Sequence, residues 1–248
     1  MNEPSNPSEE IDTHHGLIGF FDVLGYKNII ENNQIKECAL AIKRILETIR
    51  IRQERIDMIG LLTAQKLCSH VLFSDSILVY SPLIGTDNKQ IPVLMFTSYC
   101  ANLVTELLVQ GFPVRGALAL GDYYVENHIG SICLAGKPIA EAHELSECLD
   151  LAGCVVAPSA ETFFSDTHYF FAHPVPLKNR PAQKMMMLNQ CADSSGGPEL
   201  SRQFIMGRFG DHNKHIGIDV LPKINNTLEF LEACKRHSAG SPETNELT

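Results

Sequence analysis

The sequence lacks the features that mark several common classes of protein. It has no surplus of positive charge, because 20 Lys and Arg residues stand against 29 Asp and Glu, and the formal net charge is -9. Broad binding to nucleic acid or to an anionic membrane usually needs a basic surface, so this balance argues against both partners. None of the eight cysteines forms a C-x2-C pair, and a structural zinc site is therefore not expected.

Signals for secretion or membrane insertion are also missing from the sequence. The polar N-terminal residues contain no basic region followed by an apolar one. No apolar run approaches the roughly 20 residues of a membrane span. We therefore expect a cytoplasmic protein with reduced thiols and no membrane partner.

What is present is a globular composition, with 44% apolar and 20% charged residues. Residues 1–13 are predicted to be a disordered leader, and residues 14–190 to form the main domain. Residues 191–248 are predicted to be an extension that contains a helix and ends in a disordered tail.

Apolar spacing predicts the order of helices and strands in the first 150 residues. The predicted elements are a strand at 17–23, a helix at 34–56, a hairpin of strands 67–73 and 76–80, a helix at 92–109, strands at 114–125 and 131–134, and a helix at 137–148. The core stripe of the first helix is predicted to be Ile35, Ala39, Ile42, Ile45, Leu46 and Ile49, and that of the second helix Leu94, Cys100, Leu103, Val104, Leu107 and Leu108. Gly111 is the predicted C-cap of the second helix.

Patterns after residue 150 are weaker but extend the same architecture. They predict a strand at 155–156, a short helix near 160–164, edge strands at 169–172 and 184–188, a loop at 192–202, and a last helix that includes 228–234. The whole order predicts an α+β fold with a ferredoxin-like βαββαβ core, helices on one face of a mostly antiparallel sheet, and additional C-terminal strands and a helix.

Two carboxylates carry the chemistry that this fold would support. Asp22 follows the first apolar strand and Asp75 lies in the two-residue turn of the hairpin, so the two acids can meet at one edge of the sheet. A close pair of carboxylates repels, and a divalent cation removes that conflict. Magnesium typically binds one or two carboxylates together with substrate phosphates. The alternative is that both acids serve only as turn and helix-start residues.

Four segments, in order, resemble class III nucleotide cyclases. Phe21–Tyr26 is similar to the first metal loop of that family, and Phe73–Ile77 to its second metal motif. Arg115–Gly121 resembles its R-x-G strand, and Gly136–Leu145 resembles its late helix. The resemblance covers roughly residues 16–165.

The resemblance implies a set of site residues. Asp22 and Asp75 would hold two Mn2+ or Mg2+ ions per site, with the carbonyl of Val23 as a further ligand. The predicted nucleotide-binding residues are Phe21, Leu24, Gly25, Tyr26, Arg115 and Lys178, the amides of residues 24–26 cradling phosphates. For Arg115 the alternative is a salt bridge at the sheet edge, and for Lys178 it is a solvated loop lysine. The family also implies a homodimer with shared active sites.

The departures from the family concern the part of the site that reads the base. Ala140 and Glu144 stand where the family has its transition-state Asn and Arg, and Val71 stands where it has a purine-reading residue. The partner of that position falls near Cys133. This pattern is similar to the bacterial pyrimidine cyclases of the Pycsar anti-phage system.

That similarity implies conversion of UTP or CTP to a 3′,5′-cyclic monophosphate and pyrophosphate, with the product activating a separate effector protein. Two alternatives stay open. The first is a purine (guanylate or adenylate) cyclase, and the second is a non-catalytic module that binds a nucleotide.

Overall fold

The structure is a computed structural model that describes residues 13–63, 67–83, 90–128, 131–164, 168–193 and 201–240. Residues 1–12 of the predicted leader, most of the predicted loop at 192–202 and the end of the predicted tail lie outside these described residues. Thr13, the last residue of that leader, instead begins the first strand.

The described residues form eight strands and six helices. In chain order they are β1 (Thr13–Val23), α1 (Tyr26–Asn32), α2 (Ile35–Thr63), β2 (Ser69–Phe73), β3 (Ser76–Pro82), α3 (Gln90–Val109), β4 (Val114–His128), β5 (Ser131–Gly136), α4 (Lys137–Cys148), β6 (Gly153–Val156), β7 (Phe170–Leu177), β8 (Arg180–Leu188), α5 (Arg202–Gly210) and α6 (Leu221–Ser238).

All eight strands join one sheet, in the order β2-β3-β1-β4-β6-β8-β7, with β5 paired to the far end of β4. The first four strands in this order are antiparallel, and they form the predicted ferredoxin-like core. Strand β6 lies parallel to β4 because α4 carries the chain back across the sheet between them. The predicted α+β class and core are therefore confirmed.

Strand β1 is buried on both faces of the sheet, which explains its almost unbroken apolar sequence. Leu17 and Phe21 point into the cluster formed with α2 and α3, whereas Ile18 and Phe20 point into the cluster formed with α4 and α6. The prediction of helices on one face is thus correct for α2 and α3 only. Helices α4 and α6 cover the opposite face.

Helix α3 corrects the expectation that no apolar segment has the length of a membrane span. Among the described residues, α3 is the one helix that is long and apolar enough to cross a membrane. In this domain it lies under the sheet, where Phe96, Cys100, Leu103 and Leu107 are fully buried. Its apolar sequence is therefore accounted for by packing in the protein core.

The C-terminal end of α3 follows the predicted glycine cap. Gly111 has a φ of +85°. Its amide donates to the carbonyl of Leu108 at 3.0 Å, and the amide of Phe112 donates to that of Leu107 at 2.8 Å. These two bonds are those of a Schellman motif, in which a residue with positive φ closes the helix.

Several other predictions require correction. In α2, Ile35 is 85% exposed and Leu46 is 46% exposed, and Ala39 is also exposed, while Cys38, Ala41, Ile45 and Ile49 form the buried stripe. Leu94 of α3 is likewise 41% exposed. Both helices carry apolar residues on more than one face, so spacing alone selected the wrong members.

The C-terminal half differs from prediction mainly in the extent of its elements. Residues 158–163 form turns in place of a helix. Strand β8 pairs with both β6 and β7, so it is not an edge strand. The last helix is longer than predicted and extends to Ser238, and α5 was not predicted.

Candidate active site

The structure brings Asp22 and Asp75 to the same end of the sheet. Asp22 is the penultimate residue of β1, where it lies opposite Ser76 of β3 and Arg115 of β4. Asp75 occupies the turn between β2 and β3, and its carbonyl accepts a hydrogen bond of 2.9 Å from the amide of Val23. The turn is tight because Ser74 adopts a φ of +56°. One backbone bond thus joins the two segments that carry the acids.

Asp22 forms an ion pair with Arg115. The guanidinium Nε donates to Asp22 Oδ2 at 2.8 Å, and the two side chains are 12% and 19% exposed for Arg115 and Asp22 respectively. A second guanidinium nitrogen donates to the carbonyl of Glu147, near the C-terminal end of α4, at 3.1 Å. The salt bridge considered as the alternative role of Arg115 is therefore present. It holds one oxygen of Asp22, while no described residue donates to Oδ1.

The surroundings of Asp22 disfavour the ionised form of its carboxylate. Burial raises its pKa above the ordinary value of 3.8, the positive charge and hydrogen bond of Arg115 oppose that rise, and the negative charge of Asp75 adds to it. The two carboxylates are therefore close enough to repel each other. A bound cation would offset both the cost of burying the negative charge and the repulsion between the two carboxylates.

Lys178 lies on the same side of the sheet, in the turn between β7 and β8. The backbone amide of Lys178 donates to the carbonyl of Cys148 at 2.8 Å. Burial and the nearby charge of Arg115 lower the pKa of its ammonium, with a further contribution from Lys223. Among the described residues, none forms an ion pair with this ammonium. The negative charges of Glu147 and Asp22 oppose this shift, but its net direction is downward, so an additional anion beside Lys178 would be stabilised.

The metal loop, which we define as Val23–Tyr26, links β1 to α1. The amide of Leu24 donates to the carbonyl of Pro113 at 2.8 Å, so it is not available to a phosphate, contrary to the prediction. Gly25 has a φ of +76°. The amides of Gly25 and Tyr26 make no hydrogen bond to a described residue, and their role as phosphate donors stays a prediction, as does the role of the Val23 carbonyl.

Phe21 does not contribute its side chain to the site. It is fully buried and points into the cluster formed with α2 and α3, on the face of the sheet opposite Asp22. Its predicted contact with a nucleotide is therefore wrong for the side chain, because alternate residues of a strand face opposite sides.

The donors present fit a hard divalent cation with few protein ligands. Among the residues that the structure describes, no three or more His, Cys, Asp or Glu side chains gather as a metal cluster. A cation held by this pair of carboxylates would take its remaining ligands from carbonyl oxygens, water and phosphate. That is the usual arrangement for magnesium, which keeps several waters.

Lys214, which is not among the residues predicted from the sequence, lies behind the metal loop. Lys214 is only 7% exposed, and its Nζ donates to the carbonyl of Gly111 at 2.7 Å. Its methylene carbons lie against Gly25, where an added Cβ would come within 3.0 Å of the lysine Cδ. The segment around it contains no motif or periodicity, so no sequence signal pointed to this contact.

The buried ammonium of Lys214 predicts how stability depends on pH. Burial lowers its pKa from 10.5 to about 8. Between these values the unfolded chain binds more protons than the folded one, so the free energy of unfolding rises with pH through this window. The free energy of unfolding of the wild-type protein, relative to that of Lys214→Met, should therefore increase by about 2–3 kcal/mol between pH 8 and 10.5. Urea titrations of both proteins measure this difference, and parallel pH profiles would contradict it.

Comparison with solved structures identifies the fold. The catalytic core of a rhodopsin-guanylyl cyclase with converted specificity, in complex with ATPαS, has a TM-score of 0.51 at 13% identity, over 72% of this chain and 98% of that one. The guanylate cyclase domain of RhGC from Catenaria anguillulae, in complex with GTP, has a TM-score of 0.51 at 12% identity, over 71% and 97%. A bacterial light-regulated adenylyl cyclase has a TM-score of 0.52 at 14% identity, over 84% and 60%.

No family model matches the sequence, and no curated protein matches it. At these identities the structural similarity shows a shared fold. The chain therefore has the fold of adenylyl and guanylyl cyclase catalytic domains.

Proposed function

We propose that the chain is a metal-dependent nucleotidyl cyclase that acts on a pyrimidine nucleoside triphosphate. The observation that supports this most strongly is the convergence of Asp22, Asp75, Arg115 and Lys178 at one end of a sheet with the cyclase fold. Two carboxylates could hold cations, Arg115 positions one of these carboxylates, and Lys178 supplies a positive charge for the phosphates, as a phosphoryl transfer needs.

The chain's own residues would act mainly by position and charge. Asp22 and Asp75 would hold two Mn2+ or Mg2+ ions, with the Val23 carbonyl as an additional ligand. When bound, the ions lower the pKa of the attacking 3′-hydroxyl and neutralise the β- and γ-phosphates. Arg115 fixes the orientation of Asp22 through its 2.8 Å bond and its anchor on Glu147.

Lys178 would bind the triphosphate directly, because its ammonium lacks an ion pair with a described residue and lies near Arg115. The amides of Gly25 and Tyr26 would add neutral donors. These preorganised donors would stabilise the negative charge that develops on the departing pyrophosphate, because they need not rearrange during the reaction.

The proposal of a pyrimidine substrate is supported by the residues at the base-reading positions. Val71 packs against the apolar cluster that contains Ile18 and Phe20, so it offers no polar group to a purine edge. Ala140 and Glu144 lie on the exposed side of α4, where the family pattern has Asn and Arg. A purine cyclase is the second candidate, and the ATPαS and GTP bound by the similar structures support it.

The partners belong to the same proposal. A homodimer with shared sites would supply the remaining base-reading groups, and the cyclic product would activate a separate effector protein in anti-phage defence. The location is proposed to be the cytoplasm.

A competition among four nucleotides tests the function. The purified protein is incubated with Mn2+ and equal concentrations of ATP, GTP, UTP and CTP. The products are then separated, identified and quantified by mass spectrometry. We expect a cyclic monophosphate of uridine or cytidine in at least about tenfold excess over the purine products. Predominance of a cyclic purine product would support the second candidate. Nucleotide binding and dimerisation without turnover would support the non-catalytic module.

A further inference from the structure

The chain between α5 and α6 reaches the back of the metal loop. We call its residues Asp211–Lys214 the clasp. Lys214 joins two separate segments, because its Nζ bonds to the Gly111 carbonyl while its methylene carbons lie against Gly25. The ammonium group of Lys214 also lies just beyond the C-terminal end of α3, where backbone carbonyls attract positive charge.

The clasp also holds the far end of α1, the helix that begins directly after the metal loop. Asn33 Nδ2 donates to the carbonyl of His212 at 2.8 Å, and Asn32 Nδ2 donates to that of Asn213 at 2.9 Å. Asn213 Nδ2 in turn donates to Asn33 Oδ1 at 2.7 Å. Both ends of α1 are therefore in contact with the same short segment.

A third set of contacts fixes the clasp to the segment that connects α3 to β4. The ring of His212 stacks on Phe112 with a centroid distance of 4.1 Å, and its Nε2 lies 3.0 Å from the carbonyl of Gln110. His212 and Asn213 have φ values of +61° and +59°. Left-handed residues other than glycine persist where surrounding contacts enforce them, and they cluster at functional sites.

These contacts surround the bond that anchors the metal loop. Phe112 is followed by Pro113, whose carbonyl accepts the hydrogen bond from the amide of Leu24. The clasp therefore holds both sides of this bond, through Phe112, which directly precedes Pro113, and through Gly25 on the loop. We propose that the clasp sets the position of the metal loop, and that Lys214 is a positioning residue for the cations bound by Asp22 and Asp75. This inference rests on the proposed function only in what the cations do.

A methionine has nearly the length of lysine and carries no charge to bury. It would fill the same space beside Gly25 without the penalty that lowers the pKa of the Lys214 ammonium. What the lysine adds is its bond to Gly111, and Lys214→Met removes that bond while keeping the packing. Lys36→Met, which changes an exposed lysine of α2, is the matched control.

Two readouts that need no turnover test the proposal in the 248-residue chain. The first is hydrogen–deuterium exchange, in which the amide of Leu24 should exchange about five to ten times faster in Lys214→Met than in wild type. The second is Mn2+ affinity by electron paramagnetic resonance, which should fall about 10–100-fold, as is typical when the support of a metal ligand is lost. Lys36→Met should match wild type in both.

Unchanged exchange and unchanged Mn2+ affinity in Lys214→Met would overturn the proposal. If that variant does not fold, Asn33→Ala removes the contacts at the far end of α1 and should change both readouts in the same direction. Loss of Mn2+ binding only in Asp22→Ala, with Lys214→Met and Asn33→Ala unaffected, would also overturn it. A protein that binds Mn2+ through the clasp-dependent loop but cyclises no nucleotide would refute the proposed function and leave this inference standing.

Discussion

Replacing Asp75 by Asn is expected to lower cyclase turnover by about a thousandfold, which corresponds to about 4 kcal/mol of transition-state stabilisation. The amide cannot supply the charge that a divalent cation needs, although it has the same shape. The fold should be unaffected, because the bond from Val23 goes to the backbone carbonyl of residue 75 and the side chain lies in a turn. Initial rates at saturating Mn2+ measure the loss.

The control for this prediction is Asp57→Asn, which changes an exposed carboxylate on α2 that accepts a hydrogen bond from Gln53. It should retain the wild-type rate. The Asp75→Asn variant should also lower the pKa of Asp22, since the repulsion from residue 75 is removed. A variant that keeps more than about a tenth of the wild-type rate would show that Asp75 holds no catalytic cation.

Replacing Lys178 by Ala is expected to reduce kcat/KM for the nucleoside triphosphate about 10–100-fold, the value of one charge-assisted hydrogen bond. Stability should not fall, because the ammonium lies close to Arg115 and its pKa is lowered by burial and by that neighbour. Removing the charge therefore relieves a repulsion. Steady-state kinetics and thermal unfolding of the same preparation measure the two effects.

Lys184→Ala provides the matched control, because Lys184 is an exposed lysine on the second strand of the same hairpin. It should leave kcat/KM unchanged. Lys178→Arg should recover part of the lost activity, since it restores a cation at the same turn. Equal losses in Lys178→Ala and Lys184→Ala would indicate a general effect of surface charge and would argue against phosphate binding by Lys178.

The sequence predicted the core of the fold because its strands and helices differ clearly in pattern. The hairpin around Asp75 followed from two apolar runs separated by two residues, and Gly111 marked the end of α3 correctly. The buried stripe of α2 was predicted less well, since Ile35 and Leu46 continue an apolar spacing that the tertiary structure leaves exposed.

Only those residues of the candidate site that belong to a local sequence motif could be predicted. Asp22 and Asp75 were found because each follows an apolar strand, and the pairing of β1 with β3 brings their ends together. The use of the Leu24 amide by Pro113 depends on the approach of a distant loop, which no local pattern records. Lys214 was missed for the same reason, because its partner Gly111 lies 103 residues away in the chain.

The stoichiometry of the products distinguishes cyclisation of a nucleotide from its hydrolysis. Wild-type protein with Mn2+ and one nucleoside triphosphate is analysed for cyclic monophosphate, pyrophosphate and orthophosphate, with Asp75→Asn run in parallel. We expect one pyrophosphate for each 3′,5′-cyclic monophosphate, and neither product above background in the variant. Release of orthophosphate without a cyclic product, or equal cyclisation by wild type and Asp75→Asn, would contradict it.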